Sequence, residues 1–293
     1  MNKVLTSGFF RSRLFFLFFY AILNVGLFLI LNHLKVRDDV VLTIDIGNTN
    51  MNVGLFDDET LTMSARFSTE RRKTDDQFAM DFCNLFSMYH IAPTDIAGGI
   101  ISSVVPEITA PVQRAIEKLI CNKVLVLGPG VKTGLNILID NPAQLGADLA
   151  AGAVGAVAQY PLPAFVVDLG TATKIYAVDK SKGFRGCMIA PGIAISLEAL
   201  TDRSSLLPTI NLEPPKKACG TNSVESMQSG IILGTAAMID GLLDRFTDEL
   251  GTPASVIATG GLSSFIAPVC KHKLQLDPNL ILTGLRTIYE KNQ

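Results

Sequence analysis

Two short segments of the chain repeat an acidic residue, a glycine and a hydroxyl residue in the same order. They are Asp45-Ile46-Gly47-Asn48-Thr49-Asn50 and, about 120 residues later, Asp168-Leu169-Gly170-Thr171-Ala172-Thr173. Glycine lets backbone N–H groups converge on an anion without a Cβ atom in the way. A carboxylate at the end of a strand can position Mg²⁺ or its waters, because Mg²⁺ takes few protein carboxylates. One copy also fits an ordinary hairpin turn, whereas two copies favour binding of a polyphosphate.

A third candidate is Asp148, which follows the segment Asn141-Pro142-Ala143-Gln144-Leu145-Gly146-Ala147 and opens a helix of small residues. A carboxylate is favoured in the first turn of a helix by the helix dipole. At that place Asp148 could accept the proton of a substrate hydroxyl during phosphoryl transfer. The alternative is a helix-capping aspartate. The small residues at 150–156 predict close packing between lobes or subunits.

Other glycine-containing segments carry weaker signals. Residues 128–133 look like a P-loop, but the spacing from the first glycine to the lysine is too short for that motif, so they predict a turn. Gly260-Gly261 follows a predicted strand at 256–258, and either lets the backbone approach a flat adenine or forms a strand-to-helix turn. Ser223 and Glu225 fit helix capping.

The elements around the two acidic glycine segments follow one pattern: strand, turn, strand, acidic turn, strand. The predicted strands are 40–46, 51–56 and 60–67 in the first copy and 164–168, 174–178 and 184–189 in the second. An internal repeat of this size predicts two similar α/β lobes that face each other across a cleft, each presenting one glycine turn. We place the N-terminal lobe at residues 40–157 and the C-terminal lobe at residues 158–293.

Helical periodicity and capping residues complete the lobes. A helix is predicted after Thr74 or Asp75, with an apolar face that consists of Phe78, Phe82, Leu85 and Phe86. Further helices are predicted from Pro106 to Leu119 and over residues 224–250, and further strands at 96–105, 124–127 and 256–258. These elements would cover both sheets.

Composition limits the classes of function. The chain has 293 residues, 48% apolar and 18% charged, which is enough for a sizeable core. Its 25 Lys and Arg nearly balance 27 Asp and Glu, which argues against a cationic nucleic-acid binder. The five cysteines form no C-x-x-C and the three histidines no H-x-x-x-H, so no zinc motif is predicted. The odd number of cysteines fits a reducing compartment.

Residues 1–39 form an apolar leader. Residues 14–31 carry no charge, and 18 residues are at the lower limit for a helix that spans a bilayer. Lys3, Arg11 and Arg13 precede this run, and that bias would export the rest of the chain, where a domain that uses ATP could not work. Two interpretations stay open: a genuine membrane anchor, or a processed segment or misassigned start.

With these residues identified, the chain from Val41 to Ile288 resembles the type III pantothenate kinases of the actin-like ATPase superfamily. The resemblance rests on residues 45–50, 102–106, 128–135, 140–142, 146–148, 168–171, 191–192 and 222–230. It implies a duplicated actin-like (ribonuclease H-like) two-lobe α/β fold with a nucleotide cleft between the lobes. It also implies ATP-dependent phosphorylation of pantothenate to 4′-phosphopantothenate, the first step of coenzyme A biosynthesis, in the cytoplasm.

The resemblance also implies roles for particular residues. Asp148 matches the general base, and Asp168 matches the ligand of a monovalent cation, K⁺ or NH₄⁺, which acts beside the Mg²⁺ of ATP. The ATP-binding positions are Asp45, Ile46, Gly47, Asn48, Thr49, Asn50, Met51, Asn52 and Thr171. The pantothenate-binding positions are Gly146, Ala147, Asp148, Leu149 and Ser223. The resemblance further implies a homodimer in which the substrate pocket lies near the contact between the subunits.

The chain departs from the family on the acceptor side. Leu149 stands where an arginine is frequent, Ile139 where a tyrosine is frequent, and Thr221 and Ser223 replace a lysine and a threonine. An arginine is a bidentate partner for a carboxylate, and pantothenate is a carboxylate. Two alternatives therefore stay open, a non-catalytic nucleotide-binding regulator of the same fold and a kinase for another small hydroxyl compound. A membrane partner is expected only if the leader is genuine.

Overall fold

A computed structural model describes residues 40–293, which lie within the compact unit Asp39–Gln293. The apolar leader at residues 1–39 falls outside the described residues, and both interpretations of it stay predictions. Within the described part, one helical stretch, Ser223–Leu250, is long and apolar enough to cross a membrane. Ile232, Ala236 and Leu243 of this stretch belong to an apolar core cluster, and 33% of its apolar part is buried, so one face of the helix packs against the protein.

The first lobe is built on a five-stranded sheet of order β3-β2-β1-β4-β5. Its strands are β1 (Val40–Ile46), β2 (Asn50–Asp57), β3 (Thr60–Ser68), β4 (Gly98–Ser103) and β5 (Val124–Val126). Strands β1, β2 and β3 are antiparallel, and β4 and β5 continue the sheet in parallel from β1. Every residue of β1 is buried, as expected for the central strand of a sheet covered on both faces.

The second lobe repeats this sheet in the order β11-β10-β7-β8-β9-β6. Its strands are β6 (Asn136–Ile137), β7 (Ala164–Leu169), β8 (Ala172–Val178), β9 (Gly183–Pro191), β10 (Ser255–Thr259) and β11 (Gln275–Leu276). Strands β7, β8 and β9 are antiparallel, whereas β10 and β11 run parallel to β7. Strands β7–β11 thus match β1–β5 one for one, and the predicted duplication is confirmed.

Helices cover both sheets. They are α1 (Asp75–Met88), α2 (Pro106–Ile120), α3 (Ala147–Gln159), α4 (Ile193–Asp202), α5 (Ser223–Gln228), α6 (Gly234–Leu250), α7 (Ser263–Ile266) and α8 (Leu280–Glu290). A π-helical turn, Ser229–Leu233, joins α5 to α6. Thr74 caps α1 through a capping box with Gln77, and α1 buries the four predicted side chains against the first sheet.

Helix α3 packs against α8 with almost no space between their backbones. A Cβ atom at Gly155 would overlap the carbonyl oxygen of Leu280, and one at Gly284 would overlap the carbonyl oxygen of Ala151. The small residues of α3 therefore let the two helix backbones approach closely, as predicted; that such packing joins lobes or subunits stays a prediction. Helix α8 also contacts β1, β2 and β4, so the end of the chain returns to the first lobe.

The chain passes between the lobes more than once. The short strand β6 pairs with β9 of the second sheet, although it precedes α3 in sequence. The lobe limits of 40–157 and 158–293 therefore stay a prediction, while the two sheets themselves are well defined.

Candidate active site

The two glycine turns open onto one cleft. Gly47 and Gly170 both line a cavity of about 470 Å³, together with Asp45, Asp148 and Asp168. The hydroxyl oxygens of Thr49 and Thr171 lie 2.9 Å apart and form a hydrogen bond from one turn to the other. Residues more than 120 positions apart are thus brought together as the repeat predicted, and the cavity is of the size that small-molecule ligands occupy.

The first glycine turn is tight and is fixed by two hydrogen bonds at Gly47. The N–H of Gly47 donates to the carbonyl oxygen of Asn50 at 2.9 Å, and the hydroxyl of Thr69 donates to the carbonyl oxygen of Gly47 at 2.7 Å. The side chains of Ile46 and Met51 point into the core of the first lobe, so these two predicted positions can offer a ligand only backbone atoms.

The second turn depends on two glycines from other elements. A Cβ atom at Gly192 would overlap the carbonyl oxygen of Thr171. Gly260 has a φ of +89°, and a Cβ atom there would lie 2.6 Å from the carbonyl carbon of Leu169. These contacts explain why glycine stands in the pair at 191–192 and after β10, since only glycine lets three backbone segments meet here.

Asp45 closes the first-lobe side of the cleft. It lies in register with Asn52 on β2 and with Ser102 on β4, and 6% of its surface is exposed. Burial, followed by the nearby charge of Asp148, raises the pKa of Asp45 to about 7. Within residues 40–293 no lysine or arginine forms an ion pair with this carboxylate. Asp45 is therefore a buried acid that lacks a positively charged partner among the described residues.

Asp168 holds the matching position in the second lobe, but it has a partner. It lies in register with Lys174 on β8 and with Thr259 on β10. The Lys174 Nζ atom is 2.7 Å from Asp168 Oδ2 and 2.6 Å from Asp148 Oδ2. Burial lowers the pKa of Lys174, but the charges of Asp168 and Asp148 outweigh burial and raise it well above its usual value, so the ammonium stays charged.

Asp148 sits in the first turn of α3. Its Oδ1 accepts a hydrogen bond of 2.9 Å from the backbone N–H of Leu149, and its Oδ2 contacts the Lys174 ammonium. A Cβ atom at Gly146 would lie 2.6 Å from Asp148 Oδ1, so glycine leaves room for the carboxylate. Both oxygens are thus fixed, and the carboxylate lines the cleft.

Sequence reasoning missed two cations of the cleft. Lys174 faces Asp168 because the two residues flank the second turn at matching distances, a register that the predicted hairpin already contained. Arg66 on β3 donates from Nε to Asn52 Oδ1 at 3.2 Å, and its guanidinium reaches toward Gly261 of the other lobe. No local signal in the sequence marked Arg66.

The predicted pantothenate-binding positions are divided between two places. Gly146, Ala147 and Asp148 adjoin the cleft, whereas the side chain of Leu149 is buried in an apolar cluster that also includes Ile139. Ser223 lines a separate surface pocket of about 810 Å³, which shares no lining residue with the cleft. The helix there is capped by Asn222, whose Oδ1 accepts from the N–H of Glu225 at 2.9 Å. The binding roles stay predictions.

The described residues contain no group of three or more His, Cys, Asp or Glu side chains arranged to hold a metal ion. Of the three acids in the cleft, Asp148 and Asp168 contact the Lys174 ammonium, and Asp45 has no ion pair among the described residues. A divalent ion at Asp45 would therefore take most of its ligands from water or from a bound phosphate, which is the usual habit of Mg²⁺.

Sequence comparisons place the chain beside one group of enzymes. A family model described as type III pantothenate kinase matches residues 41–245. A type III pantothenate kinase of Halalkalibacterium halodurans is 43% identical over 253 residues, which make up 86% of this chain and 100% of that protein. Those of Brevibacillus brevis and Listeria monocytogenes are 42% and 39% identical over 254 residues, 87% of this chain and 100% and 98% of theirs.

Solved structures show the same fold at lower identity. A protein from Campylobacter jejuni, described as a Baf family transcriptional activator, has a TM-score of 0.56 and 21% identity, with 86% of this chain and 98% of that chain covered. A reductive activator for a corrinoid, iron-sulfur protein has a TM-score of 0.51 and 13% identity, with 86% and 60% covered. At these identities the likeness concerns the fold alone, the duplicated actin-like two-lobe α/β fold.

Proposed function

Because the chain belongs to the type III pantothenate kinase family, we propose that it transfers the γ-phosphoryl group of ATP to pantothenate, the first step of coenzyme A biosynthesis. The observation that carries this proposal is the convergence of both glycine turns and Asp148 on one cleft. The departures at Leu149 and Ile139 lie in the apolar cluster beside α3 and leave the two turns and their acids intact.

The triphosphate would lie between the glycine turns. The backbone amides of the first turn, with the side chains of Asn48, Thr49 and Asn50, supply donors for phosphate oxygens, and Thr171 supplies another from the second turn. Asp45 and Asn52 would face the Mg²⁺ that accompanies ATP. The bound ion would neutralise charge on the phosphates, and the raised pKa of Asp45 supports this placement because the buried carboxylate lacks a counter-charge.

Asp148 would act as the general base. The hydroxyl oxygen of pantothenate attacks the γ-phosphorus in line, the new P–O bond forms as the bond to the β-phosphate oxygen breaks, and the hydroxyl proton passes to the Asp148 carboxylate. ADP leaves with the electron pair of the broken bond. The contacts to Lys174 and to the N–H of Leu149 support this role, because they hold the carboxylate in one orientation.

We also propose that the protein is a homodimer. Several large apolar side chains on β9, α4 and the segments that follow are exposed to solvent: Ile189, Ile195, Leu200, Leu206 and Val224. A second copy of the chain over this surface would bury them and would bring the pocket around Ser223 toward a neighbouring cleft. Sedimentation equilibrium should give twice the chain mass of 31.5 kDa, and a single-chain mass would contradict the dimer.

Two finer expectations remain. Cytoplasmic location follows from the need for ATP and from the reducing compartment that the cysteines favour, and a membrane tether depends on the leader. A monovalent cation at Asp168 does not fit the residues around that carboxylate, because the Lys174 ammonium lies 2.7 Å from its Oδ2.

The test is release of ADP from ATP by the full chain, with and without pantothenate. We expect turnover that depends on pantothenate and yields 4′-phosphopantothenate. Binding of ATP without turnover on any acceptor would favour the regulator, and turnover with another small alcohol but not with pantothenate would favour the other kinase.

A further inference from the structure

Lys174 occupies a position that sequence reasoning left without a role. It stands on β8 directly across from Asp168 on β7, and its Nζ atom bridges Asp168 Oδ2 and Asp148 Oδ2 at 2.7 and 2.6 Å. The exposed fractions of the three side chains are 15% for Lys174, 15% for Asp148 and 9% for Asp168. The cluster is therefore a largely buried arrangement of two carboxylates around one ammonium.

The same ammonium occupies the environment that a monovalent cation would need. A K⁺ or NH₄⁺ ion carries one positive charge and is held by oxygen atoms, among them a carboxylate. A lysine ammonium is a compact point charge of the same sign and magnitude, with three N–H donors that satisfy the same oxygens. An ion bound to Asp168 would share a carboxylate with Nζ and would be repelled by it in a place with little water to screen the charges.

We propose that Lys174 replaces the monovalent cation that the family resemblance implies at Asp168, so that phosphoryl transfer needs no added K⁺ or NH₄⁺. This inference rests on the proposed function for its kinetic part. Lys174 is a positioning residue, because it contacts the carboxylates of Asp148 and Asp168 and acts through them. Tethering the charge to β8 also fixes it to the strand that carries the second glycine turn.

The first experiment measures pantothenate-dependent ADP release in tetramethylammonium, Na⁺, K⁺ and NH₄⁺ salts at equal ionic strength. We expect rates within about twofold of one another, because the resident charge is part of the chain. Activation of tenfold or more by K⁺ or NH₄⁺ over tetramethylammonium would overturn the proposal.

The second experiment uses Lys174→Ala, which removes the ammonium and leaves space beside Asp168. We expect a loss of at least tenfold in tetramethylammonium salt and recovery of at least fivefold on addition of K⁺ or NH₄⁺. Lys180→Ala is the matched control, because Lys180 lies exposed in the turn between β8 and β9, outside the cleft, and should behave as the parent. A folded Lys174→Ala protein that K⁺ does not reactivate would contradict the replacement, since a purely structural lysine gives that result.

A crystallographic readout decides the matter without turnover. Crystals soaked in Rb⁺ should show no anomalous peak at Asp168 in the parent protein and should show one in Lys174→Ala. A Rb⁺ ion bound to Asp168 beside an intact Lys174 would overturn the inference. If no salt supports pantothenate-dependent turnover, the proposed function fails, yet the Rb⁺ result still tests whether Lys174 occupies the cation position.

Discussion

The hairpin of the first lobe and the hairpin of the second lobe end in matching turns but place different side chains opposite their acids. Asp45 faces the neutral amide of Asn52, whereas Asp168 faces the ammonium of Lys174 at the equivalent register. Burial raises the pKa of both acids, and the Lys174 ammonium opposes this effect strongly at Asp168 but only weakly at Asp45. One backbone plan thus carries two different electrostatic settings.

The difference shows that two lobes with the same backbone plan can give their acids different electrostatic surroundings. The strand order, the register and the glycine turns are the same in both lobes, which agrees with the proposal that backbone amides of both turns bind phosphate. The residue at a single cross-strand position then decides whether the acid has a positively charged side chain opposite it or not. The first setting suits a divalent ion that arrives with its ligand, and the second suits a carboxylate that orients its neighbours.

The largest expected effect comes from the carboxylate that the second hairpin holds. Asp148→Asn should lower kcat by roughly 10²–10⁴-fold, because the amide cannot take the hydroxyl proton. Steady-state ADP release measures the loss. Asp95→Asn, at an exposed position of the first lobe, should leave kcat unchanged. A near-normal rate in Asp148→Asn would refute the assignment of the base.

The next effect is on the free energy of unfolding and tests whether Asp45 lacks a positively charged partner. Its pKa is 3.8 in the unfolded chain and about 7 in the folded protein, so between these values the folded state holds a proton that the unfolded state has lost. The contribution of Asp45 to the free energy of unfolding is therefore greatest below pH 4. It falls as the pH rises, by at most about 1.4 kcal/mol per pH unit, and levels off above pH 7. Asp45→Asn removes this dependence.

Urea unfolding of the ligand-free protein at pH 5 and pH 8 measures the effect. The stability of Asp45→Asn relative to the parent should be higher at pH 8 than at pH 5, with a change on the order of 2 kcal/mol. A difference in stability that does not vary with pH would show that a positive charge already compensates the Asp45 carboxylate. The two hairpins would then not differ in this respect.

A third change makes the first hairpin like the second. Asn52→Lys places an ammonium opposite Asp45, which should lower the pKa of Asp45 and repel the magnesium that accompanies ATP. We expect the Mg²⁺ concentration for half-maximal turnover to rise roughly tenfold. Ser64→Lys, an exposed lysine on β3, controls for added charge and should shift it little. An unchanged Mg²⁺ requirement would argue against Asp45 as the residue that faces the ion.

The smallest effect is the coupling between the turns. A double-mutant cycle of Thr49→Val and Thr171→Val should give a coupling energy of about 1 kcal/mol in unfolding experiments, the usual net value of one hydrogen bond. Because both hydroxyls are accessible to water, a value near zero would mean that the turns meet without stabilising each other.

Local patterns predicted much of the fold. The predicted limits of β1 are those observed, and the N-cap of α1 is Thr74, one of the two residues predicted for it, because period-2 and helical spacing are written in consecutive residues. The two-residue strands β6 and β11 and the helix α8 were not predicted. Two residues carry no period, and α8 begins without a side-chain cap and without an acid in its first turn.

The candidate site was predictable where its residues adjoin a turn and less so where they come from elsewhere. The glycine turns and Asp148 each stand in a recognisable local sequence. Lys174 and Arg66 enter the cleft through cross-strand register, which is a property of paired strands. The predicted cap at Ser223 was one residue late, since Asn222 fills that role.

The packing of α3 on α8 sets an order of events during synthesis. Asp148 is carried by α3, whose glycines accept the backbone of α8 directly, and α8 leaves the ribosome after α3 and both glycine turns. The ribosome releases the chain from the N-terminus at a finite rate, so the nascent polypeptide can form its first glycine turn before α8 is available to pack on the helix that carries Asp148. A chain truncated before α8 would therefore have both turns and an unsupported Asp148.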